Sequence, residues 1–252
     1  MRHIPRRIVG QKHLLVLIFK QPFYTIVSNI CLIQAFEMSV PYCNDPSRDR
    51  LLMAAVEIFA ERGFRDATVR DICAKAEVNP ASVNYYFGGK EKLYAESLHF
   101  AFAQADQRYP LGKALNSSLP AEQRLTAFIQ QFLFKLLDDT SLGHHSKLIA
   151  REITDPTSAL DGIIATAIAP QFAMLKEVIP ALLGSGWSDK DIYRCILSIL
   201  GQCLMYMHSR SVIDRVCPEV IATPEEINRT AEHIASFSLA ALRQFNQEGS
   251  QA

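Results

Sequence analysis

The sequence predicts an all-α protein with a small helix-turn-helix head and a larger helical body, and three observations carry that prediction. Between Thr68 and Leu93 two short segments with one apolar face each are joined by a tight turn and run directly into a third. From Lys90 onward apolar residues recur at helical spacing in one long segment after another, with capping signals at the starts. No stretch shows the period-two alternation of a strand, and no internal repeat is present.

The first helix is expected to begin after Asp45-Pro46 and to end at Gly63 as its C′ residue, with Leu52, Ala55, Val56 and Phe59 as its inner stripe. Thr68 caps the second, with Asp71 at the return position of a capping box. Val69, Ile72, Cys73 and Ala76 then share one face at i, i+3, i+4, i+7. Asn79 is a good N-cap for the third, and Pro80 sits at N1, where its missing N–H costs nothing. Val83 and Phe87 turn inward, which leaves Ser82, Asn84 and Tyr85 outside. Such a two-turn helix is too short to be stable alone, but held by a helix-turn-helix it fits the major groove of DNA.

The body is expected to contain helices over 90–108, 121–138, 144–153, 157–183, 189–209 and 224–245. Breaks fall at 109–112, 116–118, 140–143, 184–186 and 217–218, and Pro170 and Pro180 should kink or split the fourth of these helices. Ser188 with Asp191, and Thr223-Pro224-Glu225-Glu226, read as capping boxes.

Composition bounds the compartment more than the chemistry. The 252 residues carry 26 basic and 26 acidic side chains, so no global field points to a polyanion, although a small reading surface can be locally basic. The six cysteines form no Cys-x-x-Cys pair, zinc-ligand spacing or disulfide framework, which suits a reducing cytoplasm. Cys195 and Cys203 lie two turns apart and read as small core residues, with redox sensing as the alternative. Residues 1–37 differ from the rest: Arg2, Arg6, Arg7, Lys12 and Lys20 stand against Glu37, and Lys20 interrupts the apolar run well short of a membrane span of ~18 residues. They are expected to lie upstream of the functional start, Met38, with a membrane-touching extension as the alternative. The domains then read as an extension over 1–45, a head over 46–93 and a regulatory and dimerisation body over 94–252.

Residues 48–93 resemble the TetR family of bacterial one-component transcriptional regulators. The resemblance rests on Glu61-Arg62-Gly63-Phe64, Thr68, Ala76-Glu77-Val78, Tyr85-Tyr86-Phe87 and Lys90-Glu91-Lys92-Leu93. Ser146-Lys147-Leu148-Ile149-Ala150-Arg151-Glu152, followed by Asp155-Pro156-Thr157, is similar to the C-terminal domain of the CecR-like subgroup, some of which control efflux and drug-sensitivity genes. The resemblance implies a repressor that binds a palindromic operator in double-stranded DNA as a homodimer, without a cofactor.

It also implies that Thr68, Tyr86 and Lys90 grip phosphates, and a hydroxyl, a phenol and a helix N-terminus beside an ammonium all suit an anionic oxygen. Arg70 and Lys75 are further phosphate candidates, or solvated charges. Base reading falls to Asn79, Pro80, Ala81, Ser82, Asn84 and Tyr85. No Arg or Lys lies between 76 and 89, so the commonest contact to guanine is missing; Asn84 suits adenine, and Pro80 or Ala81 a thymine methyl.

In the body, Ile192, Cys195, Ile196, Ile199, Leu200 and Cys203 form one stripe, while Tyr193, Leu197 and Leu204 add a second face. Ile227, Ala231, Ile234, Ser238, Ala241, Leu242 and Phe245 line the final helix. Helices apolar on more than one face need more than one partner. By resemblance, the last two helices meet their twofold mates in a four-helix bundle; burial within one chain is the alternative. The resemblance further implies an effector pocket that moves the helix starting at Lys90. Its expected lining is Phe100, Phe102, Phe128, Phe132, Phe172, Met174 and Met205, with polar groups among His144, His145, Arg151, Glu152, Tyr206 and His208. Such a lining favours a hydrophobic or amphipathic molecule, while Arg151 and Glu152 read as a structural ion pair in preference to a binding site.

Two other function classes compete. Glu96 and His99 make one Glu-x-x-His, but a di-iron bundle needs two plus two further glutamates. His144-His145 near Asp155 is a thin metal signal, and no Gly-rich phosphate loop or nucleophile elbow is present. A pure interaction module would lack sequence-specific DNA binding.

Overall fold

The structure, a computed structural model, describes residues 45–114, 118–137 and 143–249. The segment 1–37, the expected start at Met38 and parts of the expected breaks at 116–118 and 140–143 lie outside the described residues. Ten helices follow one another: α1 (Pro46–Asp66), α2 (Val69–Ala76), α3 (Ala81–Phe87), α4 (Lys90–Arg108), α5 (Ala121–Leu137), α6 (Gly143–Thr154), α7 (Leu160–Leu183), α8 (Asp189–His208), α9 (Arg210–Val216) and α10 (Pro224–Gly249). Single turns at Leu111–Ala114 and Pro218–Val220 complete the described elements, none of which is a strand. The all-α expectation holds.

The helix ends follow the capping chemistry. Gly63 leaves helical geometry at φ 76, ψ 174, a conformation that glycine adopts without penalty, and one further turn carries the chain to Asp66. Ser188 and Asp191 form the expected reciprocal box at the start of α8. At α10 only half of the second box forms: Glu226 N–H donates to Thr223 Oγ1 at 3.3 Å, while the Glu226 carboxylate accepts from Arg229 at 2.6 Å.

Two expectations for the body need correction. Pro180 neither kinks nor splits its helix, because it lies one turn from the end of Ala169–Leu183 and the hydrogen bond it removes belongs to the final turn. At Pro170 the expected disruption is present, because the α-helical pattern stops at Ile163, passes through a widened π turn, Ile164–Ile168, and resumes with Pro170 in the first turn of Ala169–Leu183. The second correction is α9, which occupies a stretch expected only as a connection; Ser209, at φ −99, ψ 17, separates it from α8.

Two apolar cores organise the fold. The head core joins Leu51, Phe59, Ile72, Val83 and Phe87 to Leu93, Tyr94 and Leu98 of α4, and reaches Leu148 of α6 and Ile163 of α7. The body core packs Leu125, Phe128, Ile129 and Leu133 of α5 against Leu175 and Ile179 of α7, Ile196 and Cys203 of α8, and Ala231 and Ile234 of α10. Each fully buried Phe or Leu contributes roughly 2 kcal/mol of transfer free energy. By length and composition α7 could cross a membrane, but its Leu175, Val178, Ile179 and Leu183 are buried in this core. α4 is shared, with its first half in the head and Phe102 and Ala105 facing the body.

Candidate nucleic-acid interface and effector cavity

The helix-turn-helix forms where the sequence places it. Thr68 Oγ1 accepts the Asp71 N–H at 3.1 Å and donates to Asp71 Oδ2 at 2.7 Å, and Arg62 Nη1 reaches the same oxygen at 2.8 Å. The Thr68 hydroxyl, helped by Arg62, holds the Asp71 carboxyl below the usual carboxylate range. α2 ends through Glu77 in left-handed geometry (φ 55), where its N–H and that of Val78 return to Ala74 and Cys73 carbonyls. Asn79 Oδ1 then accepts the Ala81 N–H at 2.9 Å, as the N-cap reading requires, with Pro80 already in helical geometry.

Val83 and Phe87 anchor α3 in the head core, and Ala81, Asn84 and Tyr85 are left outside, Tyr85 82% exposed. Asn79 and Pro80 are exposed beside them, whereas Ser82 and Tyr86 are half-buried. The two tyrosine rings meet edge to face at 4.8 Å. Asn79 Oδ1 is engaged by the cap, while its amino group makes no hydrogen bond among the described residues.

The flank shows how phosphate contacts could be made. Gly88 (φ 73) and Gly89 (φ 130) precede α4, and no side chain caps its first turn. Those free amides suit a phosphate oxygen. The Lys90 ammonium turns back, donating to the Arg65 carbonyl at 3.3 Å and lying 4.7 Å from the Phe64 ring centre. Lys75 pairs with Glu57 at 2.7 Å on the surface, in keeping with the reading of it as a solvated charge, while Arg70 is exposed and forms none of the ion pairs observed among the described residues.

A cavity of about 270 Å³ lies between α4, α5, α6, α7 and α8. Of the expected lining, Phe102, Phe132 and Phe172 do face it. Phe128 does not: it is fully buried behind Phe132, stacked at 5.7 Å between ring centres. Phe100 and His145 pack on each other at 6.0 Å, away from the lining. Met205 is exposed, and Tyr206 belongs to a separate cleft with Glu219, Arg229 and His233. Residues missed from sequence include Lys135, Ile149, Ile153, Gln171 and Met207, together with Leu197 and Leu204, which had been assigned to a second contact face. The i, i+4 pair Ile149 and Ile153, with Ser146 one turn earlier, is the signal that could have found the α6 wall.

Arg151 and Glu152 lie outside the cavity and do not pair with each other, which corrects both readings of them. Arg151 Nε and Nη2 donate to the Ala60 and Glu61 carbonyls at 2.9 and 2.8 Å, near the end of α1. Glu152, 1% exposed, accepts from Tyr94 Oη at 2.8 Å and from the Thr157 N–H at 2.9 Å. Burial, with that hydrogen bond, pushes the Tyr94 phenol far above its usual range, so it remains a donor. Elsewhere Glu96 pairs with Arg48 at 2.6 Å, His99 Nδ1 faces Thr166 Oγ1 at 3.4 Å, and Asp155 pairs with Arg65 at 3.1 Å. Burial raises the Cys203 thiol to about 12, which suits a core residue better than a reactive one.

Comparison with known proteins agrees with this architecture. The model of the TetR family of bacterial regulatory proteins matches residues 51–96, and that of the C-terminal domain of the HTH-type transcriptional dual regulator CecR matches residues 121–242. The chain belongs to the TetR family. The dual regulator CecR of Shigella flexneri is 28% identical over 177 residues, 67% of this chain and 79% of its own. The HTH-type transcriptional repressor NicS of Pseudomonas putida is 27% identical over 210 residues, 79% of this chain and 93% of its own. A TetR-family transcriptional regulator from Streptomyces coelicolor shares the fold with a TM-score of 0.58 at 20% identity, covering 79% of this chain and 96% of that one. A structure assigned as a transcriptional regulator from Saccharomonospora viridis, in complex with choline, has a TM-score of 0.57 at 16% identity, covering 75% and 94%. This TetR-family member is thus a transcriptional regulator with a CecR-type body, and its family consists of regulators, not enzymes.

Proposed function

We propose that the regulator acts in the cytoplasm as a ligand-responsive repressor, binding a palindromic operator as a homodimer and releasing it when a hydrophobic or amphipathic molecule fills the cavity. The observation that carries this reading is the outer surface of α3, where Ala81, Asn84 and Tyr85 stand exposed on a rigid core beside the uncapped start of α4. In this reading Asn79, Pro80, Ala81, Ser82, Asn84 and Tyr85 meet base edges, and Thr68, Arg70, Tyr86 and Lys90 meet phosphates. Lys90 contributes its backbone N–H directly, and its ammonium after leaving the Arg65 carbonyl.

Release follows from α4 belonging to both units: a shift of its Phe102 end changes the position of its Lys90 end. Two recognition helices must sit about 34–36 Å apart to enter successive major grooves, so a small shift matters. Support for the dimer comes from an apolar groove between α8 and α10 formed by Cys195, Ile199, Phe237, Leu242 and Phe245, with Phe237 63% exposed. Repression rests on NicS being a repressor, and control of efflux or drug-sensitivity genes on the likeness to CecR.

The test is binding of the purified protein to the DNA beside its own gene, with salt titration and unrelated DNA of equal length. Specific, salt-dependent binding at two chains per site is the expected result. Equal binding to both DNAs, together with a genome-wide selection that recovers no palindrome, would overturn the reading. For the dimer, Phe237→Asp should shift the protein toward monomer in sedimentation.

A further inference from the structure

Lys135 of α5 lines the cavity at 6% exposure, and among the described residues it carries the one charge on a wall otherwise built from apolar groups, Ser146 and Gln171. An ammonium is removed from water only at a large desolvation cost, which a well-placed and equally buried partner offsets. Its partner, Asp106 of α4, does not meet that description: 55% of that side chain remains exposed. The Phe102 ring, 5.9 Å away, adds a weak attraction to the same cation. Packing of the body does not require a charge here, because an apolar side chain of equal length would fill the same wall without desolvation.

We propose that the effector is a compact hydrophobic monocarboxylic acid, whose carboxylate takes Lys135 from Asp106 while its apolar part lies between Phe132, Phe172 and Leu204. This rests on the ligand-responsive reading above and gives it a chemical class. A neutral molecule of the same shape gains the apolar contacts alone. A cation, such as the choline bound by the Saccharomonospora viridis protein, meets the Lys135 ammonium and, among the described wall residues, no acid. A cavity of about 270 Å³ suits a single ring or a medium chain. The exchange also supplies the coupling that induction needs, since a ligand shifts an equilibrium only by binding its two states differently. Lys135–Asp106 ties α5 to the last turn of α4, and a carboxylate at Lys135 releases that tie.

The experiment is calorimetric titration of the full chain with benzoate, phenylacetate and octanoate, each beside its amide and amine, on the wild type, Lys135→Met and Asp106→Asn. At least one acid should bind about tenfold or more tightly than its amide, with the amine weakest. Lys135→Met should bring acid and amide level, and Asp106→Asn, at an exposed position, should tighten the acid by removing its competitor. Equal binding of acid and amide, no binding by any acid, or an acid preference that survives Lys135→Met overturns the proposal; if that variant does not fold, the Asp106→Asn arm decides. The same acids are then added to the protein–operator complex. Operator binding without acid preference sinks this inference alone, whereas acid binding through Lys135 with no operator anywhere sinks the regulator reading and leaves the site standing.

Discussion

In the head, the candidate contacts all fall within the 23 residues from Thr68 to Lys90 and lie around a core closed by Ile72, Val83 and Phe87. The cavity of the body instead draws residues from each of α4, α5, α6, α7 and α8 and lies inside. The first is a convex surface set by local geometry: a cap at Thr68, a left-handed Glu77, a cap at Asn79. The second is a concave surface set by how distant helices pack. The contrast teaches that a reading surface can be stiff on its own, whereas an effector site is only as well defined as the contacts that hold its walls. A second helix, besides α4, belongs to both. α6 presents Ile149 and Ile153 to the cavity and Leu148, Arg151 and Glu152 to the head.

The sharpest way to break that contrast is to cut the junction. Glu152→Ala removes the acceptor for Tyr94 Oη and the Thr157 N–H at a position where Glu152 and Tyr94 are both buried. Two orphaned donors and the space left behind should cost about 3 kcal/mol, read as a fall of several degrees in the melting midpoint by circular dichroism. Glu152→Gln keeps an acceptor and the volume, so about 1 kcal/mol is expected. A loss under about 1 kcal/mol for Glu152→Ala would mean that head and body do not depend on this link.

The next effect tests the convex surface by itself. Asn84→Ala should change preference at one base position per half-site by about 1–3 kcal/mol in a binding selection, leaving the melting midpoint unchanged. Weakening spread evenly over all sequences would assign Asn84 to the backbone instead. A smaller effect is expected at Gly63, where φ is 76 and an added Cβ would lie 3.2 Å from Arg151 Nη1. Gly63→Ala should cost about 1–2 kcal/mol through backbone strain. Pairing it with Arg151→Ala, which clears the crowding but not the strain, should recover only part of that loss. Full recovery in the melting midpoint would show that the clamp, not the backbone, was the constraint.

What could be read from the sequence divides along the same line. The head was legible because each decision in it is local: Asn79 caps two residues ahead, Gly63 interrupts its own helix one turn before its end, and Ile72 and Cys73 share a face whatever lies beyond. The cavity was not. Phe128 and Phe132 are equivalent by composition and lie one turn apart, yet one is sealed in the core and the other faces the cavity, a difference decided by α7 and α8. Arg151 and Glu152 looked like partners because they are neighbours in sequence, but adjacent positions on a helix point apart, and each reaches a different part of the head. Leu197 and Leu204 were recognised as a second apolar face of α8, and only packing could say that this face borders a cavity. Pro180 misled although the helix end at Gly184 was read correctly, because proline disrupts a helix according to its distance from that end.

The smallest effect uses one chemical motif that occurs in both regions. Asp71 in the head is held below its usual range mainly by the Thr68 hydroxyl and then by Arg62; Asp191 in the body is held down mainly by the Ser188 hydroxyl and then by Arg194. A carboxyl depressed in the folded state contributes stability that is fully present above its unfolded value. That contribution is lost as pH falls through the folded one. Both caps should therefore act fully above pH 3.8 and weaken progressively below it. Both groups are solvent-exposed, so the effect is small in each, and what separates them is where it is felt. Asp71→Asn should flatten the acid dependence of hydrogen-exchange protection in α2 and leave α8 unaltered, and Asp191→Asn should do the reverse. If either variant altered protection in both helices equally, the stiffness of the head would depend on the body as much as on its own caps.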